Sequence, residues 1–279
     1  MRLKVFTVFH RALDERLVYP EFSPEEKRRF FTHYAVNAKW PEKQVVRLDG
    51  SLLPPGEKSE EVMVEYQLPW HDPEIQSRGF METSCYIHLF KNNLHLSYDY
   101  VGVCQYDMRW NAAAANVLRG LAGAATHPPT AWGIVCGPIM NNRGQFHPWT
   151  FAHLRDWKYL VESYNRFFGT QWTMKMLVDK PFTLYQTYLL PREEFAMLAA
   201  WLGTFCRQVY PWACQPPYET HWGSLSGYAE RAESVFIAAR LAEGQLRVAH
   251  LPVEHDSTIV EKLKVSKEHY GEQHRASGG

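Results

Sequence analysis

Apolar and polar positions along the chain follow two rhythms, short β-rich runs and longer stretches of helical period, which alternate from the start. Leu3 to Phe9 reads as an apolar strand. Ser23-Pro24-Glu25-Glu26 then supplies an N-cap serine, a proline at the first helical position and a capping-box glutamate, which predicts a helix through Phe30. Tyr34 to Asn37 reads as the second strand and Val62 to Tyr66 as the third, after the turn signal Leu53-Pro54-Pro55-Gly56. Asp72-Pro73-Glu74 opens another helix, carrying Phe80, Cys85, Tyr86 and Leu89 toward the core, and Asp99 to Asp107 follows as a strand. This β-α-β-β-α-β order predicts an α/β fold with a mostly parallel central sheet and helices on its faces. Tyr98 to Met108 carries the most information: a buried strand delivers polar groups to its end, where open α/β sheets place their chemistry.

The pattern breaks between Asn111 and Phe151, where an alanine run and frequent Gly and Pro predict a helix and loops near the active face. Met174 to Val178 and Leu184 to Leu190 read as short strands, the second stopping at Pro191. Arg192 to Val209 has a strong amphipathic stripe, with Glu193 and Glu194 in its first turn. A further helix runs from about Ala229 to Leu241, entered through Gly227, and Leu246 to Val253 closes as a strand. With no repeat, low-complexity tract or linker, residues 1–261 are expected to form a single domain and 262–279 a charged, flexible tail.

Composition narrows the partners. Hydrophobic residues make up 46% of the 279, enough for a full core, and 30 basic residues balance 30 acidic ones. No global field attracts nucleic acid or an anionic membrane, so a phosphate-bearing ligand must be held by local groups. The cysteines Cys85, Cys104, Cys136, Cys206 and Cys214 form no CxxC pair, and most sit in apolar surroundings. With no signal peptide and no membrane-length apolar run, the expectation is a cytoplasmic protein with at most peripheral contact to the inner face of a membrane.

Several motifs are missing. GxGxxG after the first strand, GxxxxGK[ST], HExxH and GxSxG are all absent, which argues against dinucleotide oxidoreductases, P-loop enzymes, zincins and ordinary α/β-hydrolases. Carboxylates and histidines at strand ends remain. Asp107 lies where the strand runs out through Gln105 and Tyr106, so its carboxylate either meets a divalent cation and a diphosphate or caps the Met108 to Ala115 segment. Glu230, in Ser226-Gly227-Tyr228-Ala229-Glu230-Arg231, is placed in the first turn of its helix, where it either accepts a proton in a cleft or serves the helix dipole; Glu233 with Arg231 reads as surface.

His10 ends the first strand, and His250 and His255 bracket the last; each is a candidate for metal or phosphate and equally an ordinary hydrogen-bonded histidine. Glu254-His255-Asp256 offers an acidic alternative to Asp107 that its place near the tail weakens. Asn37 suits a base edge or ribose and Arg78 a phosphate, or each is a turn or surface residue. Trp201, Tyr210, Trp212, Tyr218 and Trp222 suit either a sugar face or packing.

Several segments together carry a resemblance. Glu82-Thr83-x-x-Tyr86 with Lys91-Asn92, then Tyr98-Asp99-Tyr100-Val101-Gly102, resembles the "ELTxxYWxWKN … DYVGLxHYRR" core of the bacterial capsular and exopolysaccharide glycosyltransferase-like family. Phe182-x-x-Tyr185-x-x-Tyr188-Leu189 and Gly227-Tyr228-x-Glu230-Arg231, the latter one residue shorter in spacing, resemble its later "KxxFxxYxxWLF" and "GYLxERL" segments, and Lys4-Val5-Phe6 running to His10 resembles its opening strand. In family order the likeness spans about residues 3 to 254. Gln105-Tyr106-Asp107-Met108 stands where the family usually has His-Tyr-Arg-Arg, so one acid replaces a cationic pair.

The resemblance implies a GT-A-like (Rossmann-like) fold and transfer of a sugar from a nucleotide-sugar donor to a glycan or glycolipid acceptor. Glu230 would then be the base of an inverting reaction. His10, Asn37, Arg78, Gln105 and Tyr106 would contact the nucleotide sugar. Asp107 and His255 would hold Mn²⁺ or Mg²⁺, which suits an acid in place of the cationic pair. A metal-dependent nucleotide-sugar hydrolase and a non-catalytic carbohydrate-binding module are the alternatives.

Overall fold

A computed structural model describes residues 1–36, 44–53, 61–140, 154–213 and 222–262. The order of elements is β1 (Leu3–Phe9), β2 (Ala12–Asp14), α1 (Glu15–Val18), α2 (Pro24–Phe30), β3 (Phe31–Ala35), β4 (Gln44–Val46) and β5 (Val62–Val64). Then come α3 (Pro73–Ser77), α4 (Thr83–Lys91), β6 (Tyr100–Gln105), β7 (Met108–Arg109), α5 (Ala112–Gly123) and β8 (Thr130–Pro138). The remainder is α6 (Leu154–Phe168), α7 (Met174–Leu177), β9 (Pro181–Pro191), α8 (Arg192–Ala213), α9 (Trp222–Ala242), β10 (Arg247–His250), β11 (Glu254–His255) and α10 (Ser257–Lys262).

Seven strands form one sheet in the order β10-β8-β9-β6-β1-β3-β5. β1 runs parallel to β3 and β6, β3 to β5, and β8 to β10; β9 is antiparallel to both its neighbours. The mostly parallel sheet expected from the sequence is present. β1 can sit at its centre because both its faces are apolar. Phe6 and Val8 join a core with Val101 and Val103 of β6 and with α4, α6, α8 and α9, whereas Val5 and Phe9 join a second core with Phe31, Cys104 and α5. Helices therefore cover both faces.

Local signals explain several boundaries. Ser23 Oγ accepts from the Glu26 amide at 3.2 Å and the Glu26 carboxylate accepts from the Ser23 amide at 3.1 Å, closing the capping box that starts α2. Lys4 Nζ reaches back to the α2 carbonyls of Arg28 and Arg29 at 2.9 and 3.2 Å, and β3 begins at once, at Phe31 instead of Tyr34, because Phe31 is already registered against Val5. The 72–89 helix is two helices. The backbone turns left-handed at Gly79 (φ 80°) and Met81 (φ 50°), which ends one and starts the other.

Four further expectations give way. Met174 to Val178 is helical, as α7, where a strand was expected. The 111–151 stretch contains the long strand β8, which its Gly and Pro content concealed. α9 begins at Trp222, so Glu230 lies more than two turns inside the helix and not in its first turn. The closing strand is two pieces, β10 and β11, and only β10 belongs to the main sheet.

Cys85, Cys104 and Cys206 are buried and Cys136 partly so, all as free thiols, with burial pushing the Cys85 and Cys206 thiols upward. Cys214 and the expected tail from 263 onward lie outside the described residues. No described helix is long and apolar enough to cross a membrane.

Candidate functional site

β6 carries its last residue, Gln105, against Val8 of β1 and then turns through Tyr106 and Asp107 into β7. β7 pairs antiparallel with β11, Met108 opposite His255, and the Asp256 amide donates to the Asp107 carbonyl at 3.0 Å. This small ribbon folds the chain's late segment back onto the strand end. It brings His255 Nε2 to 3.2 Å from Asp107 Oδ2. The other oxygen, Asp107 Oδ1, is buried and meets no hydrogen-bond donor among the described residues.

The capping alternative for Asp107 is excluded by geometry, because Asn111 caps α5, its Oδ1 accepting from the Ala114 amide at 3.0 Å. The flanking acids are likewise engaged: Glu254 Oε1 accepts from Asn111 Nδ2 at 2.8 Å, and Asp256 Oδ1 from the Thr258 amide at 3.0 Å. Asp107 and His255 are thus the pair that faces the strand end.

A carboxylate oxygen without a donor beside an imidazole is a partial donor set suited to a hard divalent cation. Among the described residues no group of three or more His, Cys, Asp or Glu side chains closes into a full metal cage. Asp107 and His255 would supply one carboxylate and one imidazole, and an ion held there would take its remaining ligands from substrate and water.

Glu230 reaches the same neighbourhood from α9. Its Oε1 accepts from the Tyr185 amide, and its Oε2 lies 2.5 Å from Arg231 Nη1, which also donates to the Gly227 carbonyl at 3.1 Å. Burial raises the Glu230 carboxyl above the usual carboxylate range, with Glu82 adding to the rise, against the opposing pull of Arg231 and the Tyr185 amide. A nearly buried carboxylate held in this state suits a proton acceptor.

Tyr185 connects the two carboxylates. On β8 the adjacent residues Gly133 and Ile134 face Tyr188 and Leu184, so Tyr185, Gln186 and Thr187 loop out of β9. Tyr185 (φ 67°) and Gln186 (φ 45°) are left-handed, a conformation that non-glycine residues keep only when their surroundings impose it. Gly133 permits the arrangement, since a Cβ there would come within 2.8 Å of the Tyr188 ring. The bulge turns the Tyr185 ring onto His255, stacked at 4.9 Å and 17°, while its amide holds Glu230.

The remaining expected residues are distributed unevenly. His10, buried at the end of β1, has Nε2 3.9 Å from Glu82 Oε1 and its ring edge-on to Tyr106 at 6.3 Å. Tyr106 is buried, and its hydroxyl is raised by that burial and by the charges of Asp107 and Glu82. Gln105 is half-buried at the strand end. Arg78 is engaged elsewhere, paired with Glu74 at 2.8 Å and stacked over Tyr210 at 4.4 Å. Asn37 lies outside the described residues.

His250 Nδ1 accepts from the Val135 amide at 3.2 Å, an ordinary structural histidine. Of the aromatic run, Trp201 is fully buried in the core and its indole donates to Ser163 at 3.3 Å; Tyr218 lies outside the described residues, as do the side chains of Trp212 and Trp222.

Sequence reasoning missed Gln186 and misplaced Glu233. Glu233 is fully buried, its Oε1 accepting from Gln186 Nε2 at 3.1 Å, and burial together with Glu230 and Glu82 pushes its carboxyl well above the usual range. The signal available in the sequence was spacing: Glu230 and Glu233 are three apart on one helix and so share a face.

No family model matches the chain, and no curated protein matches it. Among solved structures, the apo structure of the WbbM bifunctional glycosyltransferase superposes with a TM-score of 0.59 at 12% identity, over 92% of this chain and 46% of that one. The fold is GT-A-like. This GT-A-like chain spans less than half the length of that protein, and at 12% identity the likeness is one of fold. Its site is therefore read from its own residues.

Proposed function

We propose that the protein is a glycosyltransferase that moves a sugar from a nucleotide-sugar donor to a glycan or glycolipid acceptor in surface or capsular polysaccharide synthesis, with inversion at the anomeric carbon. The observation that carries this reading is the Asp107–His255 pair at the end of β6, with a buried carboxylate oxygen left without a donor. The fold of the WbbM structure and the family resemblance of the motifs support it.

In this reading Asp107 and His255 would hold Mn²⁺ or Mg²⁺, and the ion would supply electrostatic stabilisation of the charge that develops as the donor's diphosphate leaves. Glu230 takes the proton from the acceptor hydroxyl. The acceptor oxygen then forms its bond to the anomeric carbon as the bond to the diphosphate oxygen breaks, and that bonding pair stays with the nucleoside diphosphate. His10, Gln105 and Tyr106 line the donor side. The protein works in the cytoplasm, with at most peripheral contact to the inner face of the membrane.

The test is a panel of nucleotide sugars supplied with Mn²⁺, read by nucleoside diphosphate release and by thermal shift. At least one donor should be turned over when a glycan acceptor is added, and at about 100 Kd it should stabilise the fold by roughly 2.7 kcal/mol. Release that yields only free sugar at every acceptor would make the protein a hydrolase. If no donor binds with metal, the reading is wrong.

A further inference from the structure

The catalytic reading leaves unexplained why β9 keeps two left-handed non-glycine residues in mid-strand. A non-glycine residue in that conformation is strained and must be held from outside. The contacts of Gln186 show how. Its carbonyl accepts from Tyr86 Oη at 2.8 Å, and its side-chain amide donates both hydrogens, to Thr83 Oγ1 at 2.6 Å and to Glu233 Oε1 at 3.1 Å.

Thr83 and Tyr86 belong to α4 and Glu233 to α9, so one glutamine ties the bulge to two helices. All four side chains are fully buried or within 2% of it. Next in sequence, Tyr185 gives its amide to Glu230 and its ring to His255. A displacement of Gln186 therefore moves the partners of both the metal-side histidine and the carboxylate on α9.

We infer that Gln186 and Glu233 are positioning residues: the Thr83–Gln186–Glu233 bridge locks the β9 bulge so that Tyr185 fixes Glu230 and His255 in one arrangement. The groups facing this bridge are Glu82 before α4, Glu230 and Arg231 on α9, Tyr86 on α4, Tyr188 on β9 and Cys206 on α8. Burial, Glu230 and Glu82 push the Glu233 carboxyl well above the usual carboxylate range, and its Oε1 accepts from Gln186. The catalytic arm of this inference rests on the transferase reading, and the structural arm does not.

The experiment is amide hydrogen exchange across β9 in the full chain, with Gln186→Leu, Thr83→Val and Glu233→Gln. Gln186→Leu removes the side-chain amide and leaves an apolar side chain one atom shorter; it should speed exchange at the Tyr185 amide about tenfold or more while Leu189 and Leu190 keep their protection. Thr83→Val, nearly isosteric, should give a smaller rise at the same amide and carries the test if Gln186→Leu does not fold. Glu233→Gln keeps an acceptor at Oε1 and should leave the Tyr185 rate within about threefold of wild type.

Tyr185 exchange unchanged in both Gln186→Leu and Thr83→Val would overturn the bridge. With a turned-over donor in hand, Gln186→Leu should lower kcat about tenfold or more with donor KM within about threefold, because the bridge acts on geometry at the reacting centre. An equal loss carried by KM alone would overturn the positioning role. If wild type turns over no donor, the transferase reading fails while the exchange result still decides the bridge.

Discussion

Asp107 and His255 stand 148 residues apart in sequence and 3.2 Å apart in space, joined by a two-stranded ribbon outside the main sheet. The ribbon matters because it brings together a carboxylate and an imidazole that neither segment holds alone. Asp107→Asn and His255→Ala are each expected to raise the Kd for Mn²⁺, measured by calorimetry with UDP or GDP present, by about tenfold or more. Values within about twofold of wild type for both variants would remove the cation from this site.

Glu230 should behave as a base whose proton is lost late. Glu230→Gln is expected to cut transfer at least ~100-fold, the usual scale for a general base. Burial and Glu82 raise its carboxyl, so kcat in the wild type should be low in acid and rise with pH along a limb centred above the ordinary carboxylate range. A pH profile that keeps this limb in Glu230→Gln would assign it to another group.

Glu233 carries an opposite consequence for stability. Its proton is held more tightly in the folded chain than in the unfolded one, so the folded state binds more protons in the window between the ordinary carboxyl value of 4.5 and its raised folded value. Its contribution is present in full below that window and is lost as pH rises through it. Denaturation at a series of pH values should show a decline across the window that is flatter in Glu233→Gln. The same slope in both proteins would contradict the assignment.

A separate buried network supports the N-terminal half of the sheet. Lys27 Nζ lies 2.6 Å from Glu15 Oε1 and 2.7 Å from Glu61 Oε2, and His33 Nε2 lies 2.7 Å from the same Glu15 oxygen. Burial alone would raise the Glu15 carboxyl, but His33 and Lys27 outweigh it and lower the pKa. Lys27→Met leaves a buried carboxylate short of its cation and should cost about 3 kcal/mol in chemical denaturation. A loss under ~1 kcal/mol would show that His33 and the Leu48 amide, 3.1 Å from Glu15 Oε2, suffice.

Much of the scaffold was legible because its signals are local. The strand Leu3–Phe9 carries an apolar run that any central parallel strand needs, and Ser23-Pro24-Glu25-Glu26 encodes its own helix start through hydrogen bonds spanning three residues. Asp107 was legible for the same reason: a polar residue at the end of a buried strand emerges at the sheet's edge. The start of α9 was missed because Gly227 reads locally as an entry point, whereas the helix passes through it, buried along much of its length by α6, α8 and β9.

The sequence by itself determined the alternation of elements, the apolar character of β1 and the burial of β6, and the chemical types gathered at the strand ends, since each depends on periodicity and on contacts a few residues apart. Tertiary structure alone decided that His255 meets Asp107, that Glu233 is buried instead of exposed, and that Tyr185 leaves its strand to touch both sides of the site. Those outcomes depend on pairing across 45 to 148 residues and on a backbone conformation that no local preference favours. Side chains from α4, α9 and β11 hold it in place.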